Sequence, residues 1–331
     1  MIATHSVRKI VVLGTGGTIA GQSALLSDNI GYVAAQVGIE ALMSSIPGLA
    51  AHVKAYELVF EQVAQVDSKD MDEAVWGRLA QRTAHALAQP DVQGVVITHG
   101  TDTIEETAFF LQSVLPANKP VVLTCAMRPA SALSPDGPQN LLDALSVVKD
   151  VQGRGVLVVC AGVVHAADHV LKIHTYRLDA FSSGEAGPLG WVEEGRVRWS
   201  GVPISRPRPL WDVSALPGVG AWPQVEIVMN HAGATGAVVQ ALVQAGVRGL
   251  VAAGTGNGTL SQPLTAALQQ AMASGVRVLR TTRCLQGPVI SPPQSVADAP
   301  ATDSIAVAQG LSPVKARIAL QLALMGLPPA L

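Results

Sequence analysis

The 331-residue sequence predicts two α/β domains: a larger N-terminal domain with a mostly parallel sheet, flanking helices and a β-hairpin, and a smaller C-terminal parallel α/β domain. Short apolar segments alternate with segments of helical periodicity as far as residue 160, which is typical of parallel sheets covered by helices. A proline-rich stretch follows, and a second alternation begins after it. We therefore predict domains over 1–200 and 224–331, joined by a linker over 201–223.

Composition and charge limit the classes of partner. The chain is 49% hydrophobic and 14% charged, with a formal net charge of −2, which argues against nucleic acid or an acidic membrane surface as its partner. No apolar run is long enough for a transmembrane helix. The N-terminus has no apolar region followed by a cleavage site, so we expect a cytoplasmic protein or a processed form. Cys125 and Cys160 lie in strand-like segments and are expected to be buried and reduced.

The first strand, predicted at 10–13, ends in a turn rich in glycine and threonine over 14–21. Ile19 occupies the third glycine position of the dinucleotide fingerprint, and the turn lacks the ending of a phosphate loop. A small neutral or zwitterionic ligand is therefore favoured over a nucleotide. Residues 22–36 are polar and irregular and carry Tyr32, which is either part of a functional lid or a packing anchor.

Helices are predicted over 37–46 and 71–88, with a strand near 53–60 between them. Ser68 and Asp70 are candidate caps of the second helix.

The next strand, predicted at 95–98, leads through Gly100 to a cluster of hydroxyl and carboxylate groups, Thr101, Asp102 and Thr103. A helix follows, for which Thr103 and Glu106 fit a capping box. Threonine and aspartate before a helix are ordinary N-caps. However, this turn and the one at 14–21 both follow apolar strands, and ligands bind at the carboxyl ends of such strands. We expect the two turns to converge on one small ligand.

The remaining elements follow from the same patterns. Strands are predicted over 120–126 and 155–160 with a helix over 140–149, and a β-hairpin over 191–199 turns at Glu194 and Gly195. Further strands are predicted over 225–229, 249–253 and 276–281. The last helix is predicted to start at Ser312 and Pro313, as N-cap and first residue, and to end near Met325.

Two other features of the sequence concern metal binding and the packing of the linker. Three histidines, His165, His169 and His174, have a spacing compatible with a metal site, but no cysteine or second acidic ligand completes a pattern, so no metal is predicted. Trp211 and Trp222 are expected to pack the linker against the protein.

Two stretches carry a resemblance to a known family. Residues 15–21 (Thr-Gly-Gly-Thr-Ile-Ala-Gly) and 99–107 (His-Gly-Thr-Asp-Thr-Ile-Glu-Glu-Thr) are similar to the signature stretches of bacterial-type L-asparaginases. The resemblance covers nearly the whole chain, with further similar segments at 67–71, 126–129, 136–140, 254–258 and the helix containing Lys315. It implies a homotetramer of two-domain α/β subunits, with sites at a subunit interface and no cofactor.

The resemblance also implies roles for individual residues. The family's catalytic residues fall on Thr18, Tyr32, Thr101, Asp102 and Lys172, with Thr18 as the nucleophile and Tyr32 as the group that activates it. Its substrate-binding residues fall on Ser68, with Asp67 beside it, and on Thr101, Asp102, Asn257 and Gln294. Of these, Asn257 matches the residue that reaches a neighbouring subunit's site.

The side chains agree with amide hydrolysis. A threonine hydroxyl is a weak nucleophile until a base takes its proton. Lys172 can be that base if burial or Asp102 adjusts its basicity, and Tyr32 can relay the proton from Thr18. Backbone N–H groups of the glycine-rich turns suit an oxyanion, while Ser68 and Asp102 suit the α-carboxylate and α-amino groups of an amino acid. The residues alone leave open which threonine attacks first; the resemblance implies an acyl-enzyme at Thr18.

The chain departs from the family pattern at two positions. Lys69 stands where glutamine often follows the substrate-binding serine, and Gln294 stands where many members have a glutamate near the substrate amine. Losing that carboxylate weakens capture of an ammonium group, and Lys69 would repel one if it pointed inward. Asp298 is a candidate compensating carboxylate. We therefore expect weaker or altered substrate affinity, with selectivity between asparagine and glutamine left open.

The sequence therefore predicts an amidohydrolase that converts L-asparagine to L-aspartate and ammonia, with D-asparagine or L-glutamine as minor substrates. An alternative from another class is an amino-acid-binding or sensing protein with weak or no hydrolysis. A third is an amidase acting on a macromolecular amide such as a glutamine-bearing tRNA, but the chain lacks a basic patch or an added domain for it.

Overall fold

The computed structural model describes residues 7–116, 118–150, 152–201, 213–290 and 305–326. Contacts within the chain divide it into two units, Met1–Leu216 and Pro217–Leu331, and each is described by itself. Residues 202–212 of the predicted linker at 201–223, including Trp211, lie outside the described residues, and the linker boundaries stay predictions. Trp222 lies in the second unit, where its indole Nε1 donates to the Pro217 carbonyl at 2.9 Å.

The first unit is built on an eight-stranded sheet, and a separate two-stranded ladder lies beside it. Its strands are β1 Arg8–Gly16, β2 Tyr56–Val66, β3 Val92–Thr98, β4 Pro120–Thr124, β5 Gly155–Cys160, β6 Val163–Ala166, β7 Leu171–Lys172, β8 Phe181–Ser182, β9 Gly190–Glu193 and β10 Arg196–Trp199. The large sheet has the order β10-β9-β6-β5-β4-β3-β1-β2, and β7 pairs with β8. Strands β1 to β5 pair in parallel, and β6, β9 and β10 are antiparallel. The predicted mostly parallel sheet is confirmed.

The strand order explains where a site can form. Strand β1 lies between β2 and β3, so the chain reverses its direction of travel across the sheet at this point. Such a reversal leaves a crevice beyond the carboxyl ends of the strands, because the flanking connections run to opposite faces. The turns after β1, β2 and β3 therefore meet at one edge of the sheet.

Five helices pack around this sheet among the described residues: α1 Ile39–Ser44, α2 Leu49–His52, α3 Glu73–Ala88, α4 Ile104–Val114 and α5 Gly137–Lys149. One predicted helix start was wrong. Asp72, rather than Ser68 or Asp70, caps α3, because its carboxylate accepts the Val75 N–H at 2.8 Å, whereas residues 68–70 form a separate 3-10 turn.

Strand β1 and helix α4 are each buried on more than one face. Ile10, Val12 and Leu13 are fully buried, as expected for a central parallel strand covered on both faces. In α4 the face formed by Ile104, Ala108 and Leu111 is buried, but so are Phe109 and Phe110, so the helix packs on more than one side. Phe110 stacks on Trp76 of α3 with ring centroids 5.0 Å apart. This contact packs α4 against α3.

The predicted β-hairpin is confirmed as β9 and β10. Its two turn residues, Glu194 and Gly195, have positive φ angles of 48° and 71°, as a tight hairpin turn requires. Both predicted strand cysteines, Cys125 and Cys160, are buried free thiols, while Cys284 is exposed.

The second unit contains a four-stranded sheet in its described part. Its elements are β11 Val225–Met229, α6 Ala237–Gln244, β12 Gly249–Gly254, α7 Gln262–Ala273, β13 Arg277–Thr282, β14 Ala306–Val307 and α8 Pro313–Leu324. The strands pair in parallel in the order β11-β12-β13-β14, which confirms the smaller parallel α/β domain. Helix α8 begins at Pro313 as predicted, but the Ser312 hydroxyl makes no capping bond. None of the described helices is both long and apolar enough to cross a bilayer.

Candidate active site

The two glycine- and threonine-rich turns touch each other, as the sequence predicts. They follow adjacent strands, since Gly14 of β1 pairs with Thr98 of β3. A Cβ on Gly17 would lie 2.4 Å from the Gly100 Cα, and Gly17 has a φ of 81°. Only glycine allows both this backbone conformation and this approach. The contact brings the segments that follow the two turns together at the edge of the sheet.

Thr18 and Tyr32 form a direct pair. Thr18 begins a one-turn 3-10 helix after β1 and is 7% exposed. Its Oγ1 lies 2.6 Å from the Tyr32 hydroxyl, and either oxygen can be the donor. Burial is the largest cause of a raised pKa for Tyr32, opposed by the Thr18 hydrogen bond and reinforced by the negative charges of Asp67 and Asp102. The phenol is therefore protonated at rest.

The loop that carries Tyr32 is irregular, as predicted, but it is held at both ends. Gln22 and Val33 exchange backbone hydrogen bonds of 2.9 and 2.8 Å across the loop. The Tyr32 ring packs on Gly21, where an added Cβ would lie 2.8 Å from the ring. The ring thus serves as a packing anchor and also presents its hydroxyl to Thr18. Whether the loop acts as a lid stays a prediction.

A second polar cluster is formed by Thr101, Asp102 and Lys172. The Lys172 ammonium donates to the Thr101 Oγ1 at 2.9 Å and to the Asp102 Oδ1 at 2.5 Å. The lysine side chain is 18% exposed, and the aspartate side chain is 54% exposed. Lys172 therefore contacts Thr101 directly, whereas Tyr32 contacts Thr18. The predicted catalytic residues divide into two adjacent groups with separate proton partners.

Ser68 connects the end of β2 to the turn after β3. Its Oγ accepts the Asp102 N–H at 3.1 Å, and its carbonyl accepts the Thr103 hydroxyl at 2.7 Å. The predicted capping box is therefore wrong: Thr103 is at the N-cap, but its hydroxyl serves Ser68 and makes no capping bond to α4. Because the Ser68 Oγ is an acceptor here, its own proton can be donated to a carboxylate.

Lys69 is turned away from the buried part of this turn. Its Nζ lies 2.6 Å from Asp70 and 3.2 Å from Asp67, and its side chain is 61% exposed. The hydrogen bond to Asp70 is the largest cause of a raised pKa for Lys69, followed by the hydrogen bond to Asp67. The charge that the sequence places beside Ser68 is thus balanced by two carboxylates on the same turn.

His99 supports the turn after β3 from below. It is fully buried, with Nδ1 2.7 Å from the Gly100 carbonyl and Nε2 2.9 Å from the Thr107 hydroxyl. Trp76 donates to the same hydroxyl at 2.9 Å. Burial lowers the pKa of His99 to about 4, opposed by its contact with the Gly100 carbonyl, so the imidazole is neutral. This histidine supports the turn and makes no hydrogen bond to the Thr18 or Thr101 hydroxyl.

Two predicted binding residues are not among the described residues of the first unit. Asn257 belongs to the second unit, where its side chain exchanges hydrogen bonds of 2.8 and 2.7 Å with the backbone of Ile290. Gln294 lies outside the described residues, as does Asp298. The substrate roles of both Asn257 and Gln294 stay predictions.

The histidines after residue 160 have protein partners. His165 Nδ1 lies 2.8 Å from the Ser183 hydroxyl in a buried position, and His174 accepts the backbone N–H of Tyr176 at 3.0 Å. The described residues contain no group of three or more histidine, cysteine or acidic side chains arranged to hold a metal.

One contact at this site was not predicted from the sequence. Glu105, in the first turn of α4, accepts the backbone N–H of Lys172 with its Oε2 at 2.6 Å. The only sequence signal was its place in the motif at 99–107, and helix patterns assign such a residue to the macrodipole.

Comparison with known proteins identifies the family. Residues 9–205 match the model of the N-terminal asparaginase domain, and residues 224–326 match that of the glutaminase/asparaginase C-terminal domain. An Escherichia coli (strain K12) protein named L-asparaginase 2 is 39% identical over 333 residues, covering 97% of this chain and 90% of the relative. A Pseudomonas fluorescens biotype A glutaminase-asparaginase is 37% identical, covering 95% and 86%. The crystal structure of a probable cytoplasmic L-asparaginase from Campylobacter jejuni superposes with a TM-score of 0.86 at 35% identity, covering 96% and 95% of the two chains.

Proposed function

The chain belongs to the asparaginase family, and from this premise we propose that it hydrolyses L-asparagine to L-aspartate and ammonia, with L-glutamine or D-asparagine as minor substrates. The observation that carries the proposal is the pair of threonine hydroxyls, Thr18 and Thr101, each with its own proton partner. Tyr32 is 2.6 Å from the first, and Lys172 is 2.9 Å from the second. Amide hydrolysis through a covalent intermediate has two proton-transfer steps, and two such groups match that need.

In the first step, the Thr18 Oγ1 attacks the carbon of the substrate's side-chain amide. Its proton passes to Tyr32, and Tyr32 passes its own proton towards the leaving nitrogen. This exchange suits a phenol that is protonated at rest, because a neutral phenol can take up the Thr18 proton only if it gives up its own. The C–N bond breaks, ammonia leaves, and the acyl group remains as an ester on Thr18.

In the second step, water attacks this ester and restores the Thr18 hydroxyl. We assign Thr101 to this step as the group that orients the attacking water, with Lys172 and Asp102 fixing its hydroxyl. The backbone N–H groups of the two turns are the candidate donors to the oxyanion formed in each step. Aspartate is released, and no cofactor or metal is needed.

The substrate's amino-acid end is assigned to the turn after β2. Ser68 can donate its hydroxyl proton to the α-carboxylate, and the carboxylates of Asp102 and Asp67 attract the α-ammonium group. Asn257 and Gln294 complete the proposed binding set. The active form is proposed to be a homotetramer with sites at a subunit interface, as the family resemblance implies. Light scattering on purified protein measures the subunit number, and a monomeric active enzyme would contradict this part.

The test is ammonia release from L-asparagine and L-glutamine, measured side by side over a wide concentration range. Thr18→Ala and Thr101→Ala should each lower kcat by about 10³-fold or more, because each removes a group that acts on the reacting atoms. Thr18→Ser and Thr101→Ser retain a hydroxyl and are the matched controls. Turnover retained in both alanine variants would refute the assignment.

The second candidate is an amino-acid-binding or sensing protein. The departure at Gln294 is the feature that favours it, since it removes a carboxylate expected near the substrate amine. Calorimetric titration with L-aspartate separates the two functions. Tight binding without ammonia release from either amide would favour the sensing protein, whereas turnover of asparagine would exclude it. We further propose a cytoplasmic location, which cell fractionation tests.

A further inference from the structure

Lys172 is held at two points by one short segment of the chain. Its ammonium contacts Thr101 and Asp102, and its backbone N–H donates to the Glu105 carboxylate at 2.6 Å. The segment 101–105 therefore binds the lysine at the tip of its side chain and at its main chain. Glu105 is separated from Lys172 by 67 positions in sequence, so this contact exists only in the folded unit.

Lys172 lies outside the large sheet, in a short ladder, and the backbone N–H of Val170 just before it donates to the Ala166 carbonyl of β6 at 3.0 Å. Strand β7 is two residues long and pairs with β8 through Leu171 and Ser182 and through Lys172 and Phe181. Just after it, Ile173 is 44% exposed and Tyr176 is 54% exposed. A two-residue strand in a two-stranded ladder is marginal on its own. The Glu105 carboxylate thus ties this ladder to α4, whose first turn is packed against the sheet.

The flexibility of the Lys172 side chain makes the position of its main chain important. Lysine has four rotatable bonds, so ordering its side chain costs conformational entropy. If the Cα shifts, the ammonium can keep its contacts only by changing rotamer. A carboxylate that accepts a backbone N–H makes a short, charge-assisted hydrogen bond, which fixes the position of the Cα.

We propose that Glu105 is a positioning residue of this active site, which holds the backbone of Lys172 so that its ammonium reaches the Thr101 hydroxyl. This inference rests on the proposed function, in which Lys172 and Thr101 act together. Glu105 does not touch the reacting atoms. It acts through the lysine, so its loss should lower the rate of the chemical step while leaving substrate affinity nearly unchanged.

The experiment compares Glu105→Ala, Glu105→Gln and Glu106→Ala. Glu106 lies in the same first turn of α4, so its variant controls for the loss of negative charge near the helix N-terminus. Glu105→Ala should lower kcat for asparagine by about 10- to 100-fold, since small displacements of a catalytic group have effects of that size. The KM should change by less than about threefold, because the interactions that bind substrate remain.

The Glu105→Gln variant tests whether a neutral acceptor restores kcat. Its side-chain oxygen still accepts the Lys172 N–H, so kcat should return to within about fivefold of the wild type, the remaining loss reflecting the weaker neutral acceptor. The kcat of Glu106→Ala should stay within about twofold of the wild type, because the charge at the helix end alone has a small effect. A full loss in Glu105→Gln, or an equal loss in Glu106→Ala, would refute the positioning role.

A double mutant separates positioning from general loss of structure. In a Lys172→Met background, adding Glu105→Ala should lower kcat no further, because the group being positioned is already absent. A crystal structure of Glu105→Ala gives an independent readout: the distance from Lys172 Nζ to Thr101 Oγ1 should exceed hydrogen-bonding range. A distance still near the 2.9 Å of the parent overturns the inference, whatever the kinetics.

The two proposals fail differently. If the wild-type protein releases no ammonia from asparagine, the proposed function fails, and the distance in the Glu105→Ala crystal still decides whether the carboxylate positions Lys172. If the wild type turns over asparagine and Thr101→Ala abolishes it, but Glu105→Ala keeps the parental kcat, only the positioning role fails.

Discussion

The Tyr32 hydroxyl lies 2.6 Å from the Thr18 Oγ1, although the two residues are 14 positions apart and belong to different parts of an irregular loop region. The Gly21 backbone beneath the ring and the Gln22–Val33 bridge hold the tyrosine in this position. The contact places the Tyr32 hydroxyl, which can both donate and accept a proton, beside the Thr18 hydroxyl at the edge of the sheet.

Replacing Tyr32 by phenylalanine should therefore impair the proposed chemistry more than substrate binding. The variant keeps the ring packing and loses the hydroxyl, so kcat should fall by about 10²- to 10³-fold with a small change in KM. Steady-state ammonia assays measure both. Tyr176→Phe is the matched control, since Tyr176 is 54% exposed. Parental kcat in Tyr32→Phe would show that another group relays the proton.

The raised pKa of Tyr32 predicts a pH profile. The relay needs a protonated phenol, and burial raises the pKa of Tyr32 above its ordinary value of 10.0. The midpoint of any loss of kcat through ionisation of this tyrosine should therefore lie above pH 10. Tyrosinate absorbance of wild type and Tyr32→Phe locates the ionisation directly. A tyrosine that ionises below its ordinary pKa, and is absent in the variant, would contradict this.

The buried His99 predicts acid sensitivity of the fold. Its pKa is about 4 in the folded chain against an ordinary value of 6.5, so between these values the unfolded state binds a proton that the folded state does not. Stability therefore falls as the pH drops from 6.5 towards 4. From pH 7 to pH 5, this residue should remove about 2 kcal/mol of unfolding free energy.

Urea unfolding of wild type and His99→Gln at several pH values measures this effect. The glutamine variant has a lower stability at neutral pH but no ionisable group at the position, so its unfolding free energy should depend less on pH across this window. Identical pH dependence in the two proteins would assign the acid sensitivity to other groups.

The close approach of Gly17 to Gly100 predicts a strong effect of one methyl group. Gly17→Ala places a Cβ 2.4 Å from the Gly100 backbone, so the two turns must separate. We expect a loss of about 2 kcal/mol or more in unfolding free energy and a loss of kcat of at least about 100-fold. Gly48→Ala is the control, because Gly48 has a φ of 76° but nothing within 4 Å of an added Cβ. Equal effects in both variants would mean that backbone strain alone is responsible.

Lys69 gives a prediction about substrate affinity. Since its ammonium is exposed and paired with Asp67 and Asp70, Lys69→Gln should change the KM for asparagine by less than about threefold. Lys54→Gln, at another exposed lysine, controls for the change in net charge. A large drop in KM that is specific to Lys69→Gln would show that this lysine repels the substrate's ammonium group.

Much of the fold follows from local pattern. Apolar β-branched segments and helical periodicity are properties of consecutive residues, so the strands at 155–160 and 225–229 and the hairpin turn at Glu194 and Gly195 were predictable. The short strands β6, β7, β8 and β14 were not predicted, because they have too few positions to show a period. Strands β9 and β10 are as short as β6, but the Glu194 and Gly195 turn between them marks the hairpin.

The site divides in the same way. The family resemblance assigned Thr18, Tyr32, Thr101, Asp102 and Lys172 to one set, and the motifs at 15–21 and 99–107 contain three of them. Their pairing was decided by the position of β1 between β2 and β3 and by the ladder that carries Lys172, which set distances between residues up to 71 positions apart.

Thr103 shows why local rules fail at such a point. Its spacing to Glu106 satisfies a capping box, yet its hydroxyl donates to the Ser68 carbonyl 35 positions away. A hydroxyl has one proton, and the packed structure offered it a buried carbonyl that sequence spacing does not reveal. The sequence by itself determined most of the elements and the chemical groups at the sheet edge. The tertiary structure decided which groups share a proton or a hydrogen bond, because those contacts depend on strand order and packing.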